Sequence, residues 1–524
     1  MGKEIGIDLG TTNTIVSYID KKNRLKSLKI NKKQVTPSAV FFDTEDEWTI
    51  GTEAKNKMQT NVNAGVLNFK TTIGDKSRKV IIAEDGSKFK LSSKEITKCF
   101  LNSIIKGVEE KLIKEFGPEE GVIENVVITV PAKFSSTEKE ATKWAAIEAG
   151  FKNVKLVAEP TAAAVAHQRE NGDEGKNILV YDFGGGTFDV SILYEKNGVF
   201  NEVVTGGDKT LGGNKITQMI VEKILSSIED DYDLEMPLLE EDYDEDEFEI
   251  DEQSYKKNMS HIIEMVNEFK EKISSEDESE IILDIILPDK SAEMYEEVFK
   301  REEVEKMIYK EIKRTVEITK NVIEEAKNYN IDKIDEIVLA GGSSQIPLVK
   351  QLLEEELEVP ISFADDVSTL ISNGAAILAK EGYSNGLEAI AKTNVELGID
   401  AIQGQRYNMF ETIIGINEEL PHKAVKKFML KEDNQDRIEI RIYERDIKNY
   451  PKSKRIFDNG VEEIDSLIID NLPKNLKKDE TDVKVTFNAQ IDGSLSVGVE
   501  LIDRKTNKSI KDSNMKINKA SNLE

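Results

Sequence analysis

Two segments far apart in this chain share one design, in which an apolar strand carries an aspartate into a turn of glycine and threonine and a second strand leaves the turn. The first is Ile5–Val16, with Asp8, and the second is Ile178–Leu193, with Asp182. Backbone N–H groups in such turns form a concave anion nest, glycines let the backbone come close, and the aspartate can hold a cation. Two phosphate cradles in one chain predict a nucleotide bound with a divalent metal.

The familiar phosphate loops of other nucleotide folds are missing from the sequence. A P-loop needs G-x-x-x-x-G-K-[ST] and a dinucleotide-binding turn needs G-x-G-x-x-G, and neither occurs. The cradles stand instead in strand-turn-strand hairpins. Two opposed hairpins would grip a triphosphate from both sides, with hydrated Mg²⁺ between Asp8 and Asp182, because magnesium prefers oxygen ligands and keeps several waters.

Periodicity divides the chain into two parts. Up to about residue 383, apolar strands such as Val126–Val130 and Ile337–Ala340 alternate with amphipathic helices such as Thr137–Ala149 and Glu302–Lys327, which is typical of the α/β class. With 524 residues, 39% of them hydrophobic, the chain is long enough for roughly three or four units with buried cores.

The chain after residue 383 is typical of β-structure. Arg437–Tyr443 alternates strictly between polar and apolar residues, and Asp492-Gly493 separates two further alternating runs, Val483–Phe487 and Leu495–Leu501, as in a hairpin. We predict an α/β domain followed by an all-β sandwich. The predicted boundaries are 1–383 for the α/β domain, 384–393 for a linker, 394–510 for the sandwich and 511–524 for a tail.

Negative charge is concentrated in one stretch. Of a formal net charge of −29, the 15 Asp or Glu of Glu229–Glu252, which has no Lys or Arg, account for about half and leave −14 for the rest. Such a charge disfavours nucleic acid as a partner, because phosphate neutralisation needs clustered cations. We expect residues 229–252 to be a solvated, mobile insertion. A docking site for a basic partner is the alternative.

Cysteine and histidine content excludes other classes of site. The single Cys99 cannot form an internal disulfide, and its helical spacing from Ile96 and Phe100, after a Ser92-x-x-Glu95 capping box, indicates a core thiol. Three histidines without a cysteine pair disfavour zinc. No apolar run reaches the roughly eighteen residues of a membrane span, and the N-terminus does not resemble a signal peptide. We expect a cytoplasmic protein without membrane contact.

Five motifs together resemble the seventy-kilodalton heat-shock (DnaK-type) chaperone family. They are Asp8-Leu-Gly-Thr-Thr12, Val130-Pro131-Ala132, Ala158-Glu159-Pro160-Thr161-Ala-Ala-Ala164, Asp182-Phe-Gly-Gly-Gly-Thr-Phe-Asp189 and Ala340-Gly-Gly-Ser343. Their order and spacing match the family across residues 1–383. The resemblance implies an actin-like (RNase H-like, duplicated) ATPase domain of two lobes, with ATP in the cleft, and a peptide-binding β-sandwich after it.

The resemblance also implies roles for individual residues. Lys70 matches the family's catalytic lysine, Glu159 matches the carboxylate near the attacking water, and Asp182 and Thr187 complete the implied catalytic set. The implied metal ligands are Asp8 and Asp182, and the implied nucleotide contacts are Gly10, Thr11, Thr12, Asn13, Gly184, Gly185, Gly186, Thr187, Lys270, Ser274, Gly341, Gly342 and Ser343. ATP or ADP and Mg²⁺ are the implied cofactors, with K⁺ as a further candidate.

Elementary chemistry favours the same roles for Lys70 and Glu159. Phosphoryl transfer needs little covalent help but much charge compensation, so a lysine, a metal and backbone amides near the γ-phosphate are the expected parts. Each residue alone has a simpler interpretation. Lys70 could be a solvated lysine, and Glu159 before Pro160 could merely start a helix, where an acid and a proline are both favourable.

Several positions depart from the family pattern. Pro131 matches its proline switch, but Lys139 stands where the family usually has arginine and lacks the planar fork of a guanidinium. Gln345 replaces an arginine and Asn267 a glutamate near the adenosine, and the loss of the guanidinium at position 345 predicts nucleotide binding weaker by about two- to thirtyfold. The acidic residues that usually follow Gly213 are absent, so the identity of an exchange factor stays open.

The β-rich end resembles the family's peptide-binding domain more faintly. Leu397-Gly398-Ile399 matches its opening strand, whereas the linker reads Glu388-Ala-Ile-Ala-Lys392, and only 23 residues follow Leu501, too few for a helical lid. We expect fast, weak binding of unfolded or extended polypeptide clients. A J-domain co-chaperone is a candidate partner.

The leading hypothesis is an ATP-hydrolysing, lidless chaperone whose nucleotide state tunes peptide binding. One alternative is an actin-like filament or scaffold protein, and another is an actin-fold small-molecule kinase. The β-rich end disfavours both alternatives.

Overall fold

A computed structural model describes residues 3–30, 33–119, 121–171, 175–196, 199–239, 242–244, 247–362, 366–382, 389–390, 393, 395–403, 406–416, 418, 421–447, 450–489 and 495–517. These residues form two α/β lobes and a β-domain. None of the described helices combines the length and the apolar character that crossing a bilayer requires.

The first lobe is built around one mixed sheet. Its elements are β1 (Lys3–Leu9), β2 (Asn13–Ile19), β3 (Leu25–Ser27), β4 (Thr36–Pro37), β5 (Ala39–Phe42), β6 (Trp48–Ile50), α1 (Gly51–Met58), β7 (Gly65–Leu67), β8 (Arg78–Ile82), β9 (Lys88–Ser92), α2 (Ser93–Phe116), β10 (Ile123–Val130), α3 (Ser136–Ala149) and β11 (Asn153–Ala158). The sheet order is β11-β10-β1-β2-β3, with β4 also on β2. β10 is parallel to β1 and β11, whereas β2 is antiparallel to β1.

The second lobe follows without a break in the α/β pattern. Its elements are α4 (Glu159–Asn171), β12 (Asn177–Phe183), β13 (Phe188–Lys196), β14 (Val199–Asp208), α5 (Gly213–Tyr232), α6 (Glu252–Ile273), β15 (Glu278–Ile286), β16 (Ala292–Lys300), α7 (Arg301–Ala326), β17 (Glu336–Ala340), α8 (Pro347–Glu356), β18 (Ile361–Ser362) and α9 (Leu370–Ile377). The main sheet order is β18-β17-β12-β13-β14.

The two main sheets repeat one topology. The hairpin strands β1, β2 and β3 correspond to β12, β13 and β14, and the parallel strands β10 and β11 correspond to β17 and β18. An apolar cluster of α4 and α9 residues packs between the sheets. The packing is close, because a Cβ on Gly374 of α9 would lie 1.7 Å from the carbonyl oxygen of Ala162. The duplication places Asp8 and Asp182 near the ends of equivalent central strands.

Capping boxes fix the start of two helices in the first lobe. The Ser92 N–H donates to Glu95 Oε2 at 2.8 Å before α2, and the Ser135 N–H donates to Glu138 Oε2 at 2.8 Å before α3. These bonds satisfy backbone donors that a helix leaves unpaired at its N-terminus. Cys99 is buried in α2, as the sequence predicted, and burial raises the pKa of its thiol to about 11.

The described residues of the acidic stretch Glu229–Glu252 keep most of their carboxylates exposed, as the sequence predicted, but apolar residues between the acids pack against the second lobe. The ring of Tyr243 stacks on Tyr255 at 4.7 Å and on Phe248 at 6.0 Å between centroids. Apolar residues interspersed among the acids anchor the described part of the stretch to the second lobe, because their burial outweighs the preference of the carboxylates for water. Those buried in the lobe's core are Leu234, Met236 and Ile250.

The β-domain consists of two antiparallel sheets. Its strands are β20 (Glu396–Gln403), β21 (Arg406–Ile414), β22 (His422–Met429), β23 (Ile438–Arg445), β24 (Val461–Ile469), β25 (Thr481–Ala489), β26 (Leu495–Asp503) and β27 (Ser509–Ile517). The sheet orders are β21-β20-β23-β24 and β22-β25-β26-β27, and a shared apolar core lies between them. β27 pairs with β26 as far as Ile517, so the sheet extends beyond the predicted end of the sandwich at residue 510.

The predicted linker is only partly described. Ala389–Ile390 forms strand β19, which pairs in parallel with Phe200 and Asn201 at the edge of the second-lobe sheet. Residues 384–388, 391 and 392 lie outside the described residues, as do the predicted hairpin turn at 492–493 and the last residues of the predicted tail. A cavity of about 210 Å³ lies between the first lobe and the β-domain, with Trp144 and Ile464 on opposite walls.

Candidate nucleotide site

The first cradle is the turn that joins β1 to β2. Asp8 lies near the end of β1 and accepts a hydrogen bond from Thr129 Oγ1 at 3.2 Å. Ser38 closes the outside of the turn, since its N–H donates to the Thr12 carbonyl at 2.8 Å and its hydroxyl to the Gly10 carbonyl at 2.7 Å. Gly10 is required at this turn, because a Cβ there would lie 2.2 Å from the carbonyl oxygen of Asn13.

The second cradle joins β12 to β13 and is hydrogen-bonded to two other elements, the start of α5 and the turn after β17. The Gly184 N–H donates to the Thr187 carbonyl at 3.1 Å across the turn. The Gly184 carbonyl accepts from the Gly213 N–H at 3.0 Å and from the Ser343 hydroxyl at 2.9 Å. The Asn214 N–H donates to the Gly185 carbonyl at 2.7 Å. The carbonyls of Gly184 and Gly185 therefore accept hydrogen bonds from neighbouring elements, and these bonds fix the orientation of the turn.

The two turns face each other across the cleft. A Cβ on Gly185 would lie 2.2 Å from Thr12 Oγ1, and a Cβ on Gly186 would lie 3.1 Å from Thr11 Oγ1. The threonines of the first turn thus occupy the space that the glycines of the second leave free. Thr12 Oγ1 is buried and has no hydrogen-bond partner among the described residues, and a buried hydroxyl without a partner is costly. A ligand oxygen beside the two turns would satisfy it.

Lys70 and Glu159 form a buried ion pair beside the turns. Lys70 stands on the single-turn helix Phe69–Thr72 and Glu159 on the first turn of α4. Their side chains meet at 2.7 Å between Nζ and Oε1, and the residues are 4% and 7% exposed. A solvated lysine and a surface helix cap, the simpler interpretations from sequence, do not fit this burial. A buried ion pair is retained at a cost in desolvation, which is typical of a functional site.

Three aspartates crowd around this ion pair. Burial, reinforced by Glu159, raises the pKa of Asp8 to about 7. The same causes raise the pKa of Asp189 to about 7 and that of Asp182 well above its usual value. Carboxyl groups therefore outnumber the ammonium groups near them, so the cluster would be stabilised by a further cation.

This cluster fits Mg²⁺ held largely through water. Within the described part of the chain, no three His, Cys, Asp or Glu side chains converge closely enough to hold a metal by themselves. Asp8 and Asp182 would therefore supply part of the coordination shell, with waters and phosphate oxygens as the remaining ligands, as magnesium prefers. Bound Mg²⁺ would offset charge on the phosphates.

Lys270 lies on α6 at the inner end of the cleft. Its ammonium donates to the Gly213 carbonyl at 3.0 Å, to Thr217 Oγ1 at 2.9 Å and to Asn267 Oδ1 at 3.3 Å. All three acceptors are neutral, and burial lowers the pKa of Lys270 to about 8. The Ser274 hydroxyl donates to the Lys270 carbonyl at 2.8 Å. This bond satisfies a backbone acceptor in the last turn of α6, the helix that carries Lys270.

The Gly341–Ser343 turn leads out of β17 next to the second cradle. Gly341 has φ +77°, and a Cβ there would lie 2.6 Å from Asp182 Oδ1. Glycine is therefore needed both for the backbone conformation and for the close approach to the aspartate. Space is open beside Gly342, where a Cβ would meet nothing within 4 Å.

Comparison with known proteins bears on this geometry directly. The family model described as Hsp70 protein matches residues 4–524. The chain is 31% identical to the chaperone protein DnaK of Mycoplasma mobile, over 97% of this chain and 78% of that protein. It is 30% identical to the chaperone protein DnaK of Mycoplasmoides gallisepticum over 95% and 78%, and 28% identical to the heat shock cognate HSP70 protein of Trypanosoma brucei brucei over 94% and 72%.

The chain belongs to the Hsp70 family. Membership confirms the resemblance stated from the motifs, the fold class of an actin-like ATPase domain followed by a β-sandwich, and the prediction of an ATP-hydrolysing chaperone. ATP or ADP is the nucleotide of the family. The domain boundaries and the roles of individual residues stay predictions.

Most residues predicted for the Hsp70 nucleotide site converge in the structure. The two turns, Lys70, Glu159, Asp8 and Asp182 share one cleft. Asn13 lies at its edge with an exposed side chain, and Ser274 turns its hydroxyl to its own helix. Residues not predicted also take part, namely Asp189, Thr129 and Thr217. Asp189 is the last residue of the motif that begins at Asp182, so the sequence could have indicated it as a site residue. Thr129 and Thr217 have no distinctive sequence signal.

The predicted switch residues lie away from the phosphate turns. Pro131 is buried directly after β10, and its carbonyl accepts from the Phe134 N–H at 3.1 Å. Lys139 on α3 is half-buried, and burial lowers its pKa although Glu202 and Glu444 lie near enough to oppose the shift. These glutamates belong to β14 of the second lobe and β23 of the β-domain. Lys139 therefore lies where three parts of the molecule meet.

Proposed function

We propose that this Hsp70 uses the cleft between its lobes to hydrolyse ATP and uses the nucleotide state to control the binding of unfolded polypeptide segments in its β-domain. The observation that carries the proposal is the buried Lys70–Glu159 pair, 2.7 Å between Nζ and Oε1, beside two facing phosphate turns. Neither partner contributes to an exposed surface, and Glu159 would lose the ammonium group that it contacts if Lys70 were removed.

The proposed roles follow from charge and position. Lys70 supplies positive charge to the γ-phosphate, and Glu159, held by Lys70, orients the attacking water. Asp8 and Asp182 hold hydrated Mg²⁺, and the turns Gly10–Asn13 and Gly184–Thr187 donate backbone N–H groups to the phosphates. K⁺ is a candidate second cation, because the cluster contains more carboxylates than one Mg²⁺ needs.

The adenosine is proposed to lie between α6 and the Gly341–Ser343 turn. Lys270 has only neutral acceptors, and Asn267 stands where a carboxylate would otherwise accept a ribose hydroxyl. An amide is a weaker acceptor than a carboxylate. We therefore expect weaker nucleotide binding than a glutamate and an arginine at positions 267 and 345 would give.

Contacts between the domains support the proposed coupling. Strand β19 extends the second-lobe sheet through Phe200 and Asn201, and Lys139 lies near Glu202, only one residue further along β14. A rearrangement of the lobes around the nucleotide would shift β14, and with it both contacts. Pro131, at the end of β10, would pass changes near Asp8 to α3, because β10 pairs directly with β1.

The proposed ligands of the β-domain are unfolded or extended polypeptides, bound through main-chain hydrogen bonds and apolar side-chain pockets. A J-domain co-chaperone is a proposed partner. The exchange factor is left open, because the acidic residues that follow the family's glycines are absent after Gly213. A cytoplasmic location is proposed from the single unpaired cysteine.

The test is the affinity of a labelled unfolded peptide at saturating ATP and at saturating ADP, for the wild type and for Lys70→Ala. We expect the two affinities to differ by about fivefold or more, as for other coupled sites, and the ATP value to persist in the variant because hydrolysis is slowed. Equal affinities would remove the coupling. ATP-dependent light scattering would favour a filament, and phosphate transfer to a metabolite would favour a kinase.

A further inference from the structure

A basic and aromatic patch stands out on the β-domain of this acidic chain. Its cations lie on two neighbouring segments, the start of β21 and the loop between β23 and β24, and all four side chains are exposed: Arg406, Lys452, Lys454 and Arg455. Beside them, Tyr407 is 64% exposed and Phe457 is 74% exposed. Phe457 has the highest exposed fraction among the large hydrophobic residues of the described chain.

Backbone pairing holds the described residues around the patch together. An antiparallel bridge joins Met409 to Arg455, and the Ile456 N–H donates to the Asn408 carbonyl at 3.1 Å. This register brings Tyr407 and Phe457 to the same end of the pairing. Ser453 is buried, and its carbonyl accepts from Arg445 Nη1 at 2.9 Å. The exposed aromatic side chains are therefore held by ordered backbone.

One acid organises the loop and offsets part of the charge of Arg455. Asp458 accepts the backbone N–H groups of Lys454 at 2.7 Å and Arg455 at 2.9 Å, which lower the pKa of its carboxyl. None of the four cations forms an ion pair with a described residue. Elsewhere on the same domain exposed cations do pair, as Lys505 with Glu480 at 2.6 Å.

We propose that this patch binds an acidic segment of a separate polypeptide, with an aromatic or aliphatic side chain that covers Phe457. Unpaired cations on a body of net charge −29 provide local complementarity to an acidic partner. An exposed aromatic residue on an ordered loop gives contact area at a low cost in conformational entropy, which is typical of interface hot spots. The combination matches a chain segment in which acids alternate with apolar residues.

Other occupants fit the patch less well. Nucleic acid and anionic membranes carry a much denser negative charge than the few carboxylates of a short segment, so the net charge of −29 on the chain repels them more strongly. A second copy could offer its acidic stretch, Glu229–Glu252, but the ring of Tyr243 is stacked inside the second lobe and Leu234, Met236 and Ile250 are buried. That stretch would offer carboxylates and little apolar surface for Phe457.

The probe is a short fluorescein-labelled peptide of alternating glutamate and leucine around one phenylalanine, measured by fluorescence anisotropy with the full chain. We expect the double variant Lys454→Glu/Arg455→Glu to weaken binding about tenfold or more, because like charges would then face each other. Phe457→Ala should weaken binding about tenfold. The matched control Lys474→Glu, at an exposed lysine of the same domain, should leave the affinity unchanged.

Three outcomes would overturn the proposal. Binding that is unchanged in both patch variants, or equally tight for a peptide with glutamine in place of glutamate, would show that the patch does not select acids. Displacement of the peptide by an oligonucleotide or by phosphatidylglycerol vesicles would make it a polyanion site. Self-association that the variants abolish would assign it to a second copy.

The proposal is independent of the ATP-controlled binding proposed above. The variants leave the cleft untouched, so ATP turnover and the ATP dependence of binding to an uncharged unfolded peptide should stay at wild-type values. A variant that lost both ATP turnover and the binding of the uncharged peptide would be misfolded. The variant Phe457→Tyr separates misfolding from loss of the contact. Because it retains an aromatic ring, it should keep at least half of the affinity for the acidic peptide.

Discussion

The two lobes repeat one sheet and one hairpin, but their turns are built from different side chains. The turn Gly10–Asn13 presents two threonines, and the turn Gly184–Gly186 presents no side chains. A Cβ on Gly185 would lie 2.2 Å from Thr12 Oγ1, whereas the nearest atom to a Cβ on Gly184 is 3.7 Å away. The lobes also differ in what surrounds the turns, since the first supplies Lys70 and the second supplies Lys270.

This difference shows how a duplicated fold makes one asymmetric site. Two identical turns would either clash or leave a gap, whereas a turn with side chains fits against a turn without them. The first lobe then provides the positive charge for chemistry through Lys70, which pairs with Glu159 on α4 of the second lobe. The second lobe provides the proposed binding surface for the base and ribose, which consists of α6 and the Gly341–Ser343 turn.

The largest effect is expected from the charge that only the first lobe supplies. Lys70→Ala should slow ATP hydrolysis by about a hundredfold or more, because preorganised charge at the phosphate is the main source of catalysis. Single-turnover hydrolysis measures this directly. Asp182→Asn, in the second lobe, should slow it comparably, and Lys90→Ala, at an exposed lysine of the first lobe, should not. Unchanged turnover in both site variants would mean that the chemistry lies elsewhere.

The fit between the turns predicts a sharp contrast between neighbouring glycines. Gly185→Ala should weaken nucleotide binding by about tenfold to a hundredfold, because overpacking of this kind costs about 1–3 kcal/mol. Gly184→Ala, where space is open, should have little effect. Calorimetric titration with ADP and Mg²⁺ gives both affinities. Equal effects at the two positions would show that the turns do not interlock.

The unpaired hydroxyl of the first turn predicts a smaller loss. Thr12→Val keeps the shape but removes Oγ1, which is buried without a partner in the part of the chain that the structure describes. Nucleotide affinity should fall by about tenfold, as expected for one hydrogen bond to a charged group. Thr60→Val, at an exposed threonine, serves as the control. An unchanged affinity would assign the hydroxyl to something other than the phosphates.

The smallest effect is expected where the lobes touch at the mouth of the cleft. Gln59 of the first lobe donates to Glu264 of the second at 2.6 Å, and both are exposed to solvent at this contact. Gln59→Ala should speed release of a fluorescent nucleotide by only about two- to fivefold, because such a bond contributes about 0.5–1 kcal/mol. Asn56→Ala, also exposed on α1, should release at the wild-type rate. A larger change would make this contact a gate.

Much of the site could be read from the sequence because its parts are local. The turns carry their own glycines, threonines and aspartates within a few residues, so the pattern and the structure coincide. Charge content correctly predicted exposed carboxylates in Glu229–Glu252, but it gave no sign that a few apolar residues at irregular spacing would anchor the segment to the second lobe. The contacts of Thr129 and Thr217 had no sequence signal, since each depends on a strand or helix brought from far along the chain.

The sequence by itself determined the two turns, the α/β and β-rich parts and the residue types available for phosphate and metal, because backbone conformation and strand or helix period are local properties. Only the tertiary structure decided that Lys70 meets Glu159, that Thr12 fits over Gly185 and that Lys139 lies among three parts of the molecule. Those contacts join residues far apart in the chain. Their formation depends on how whole sheets pack, which no short window of sequence specifies.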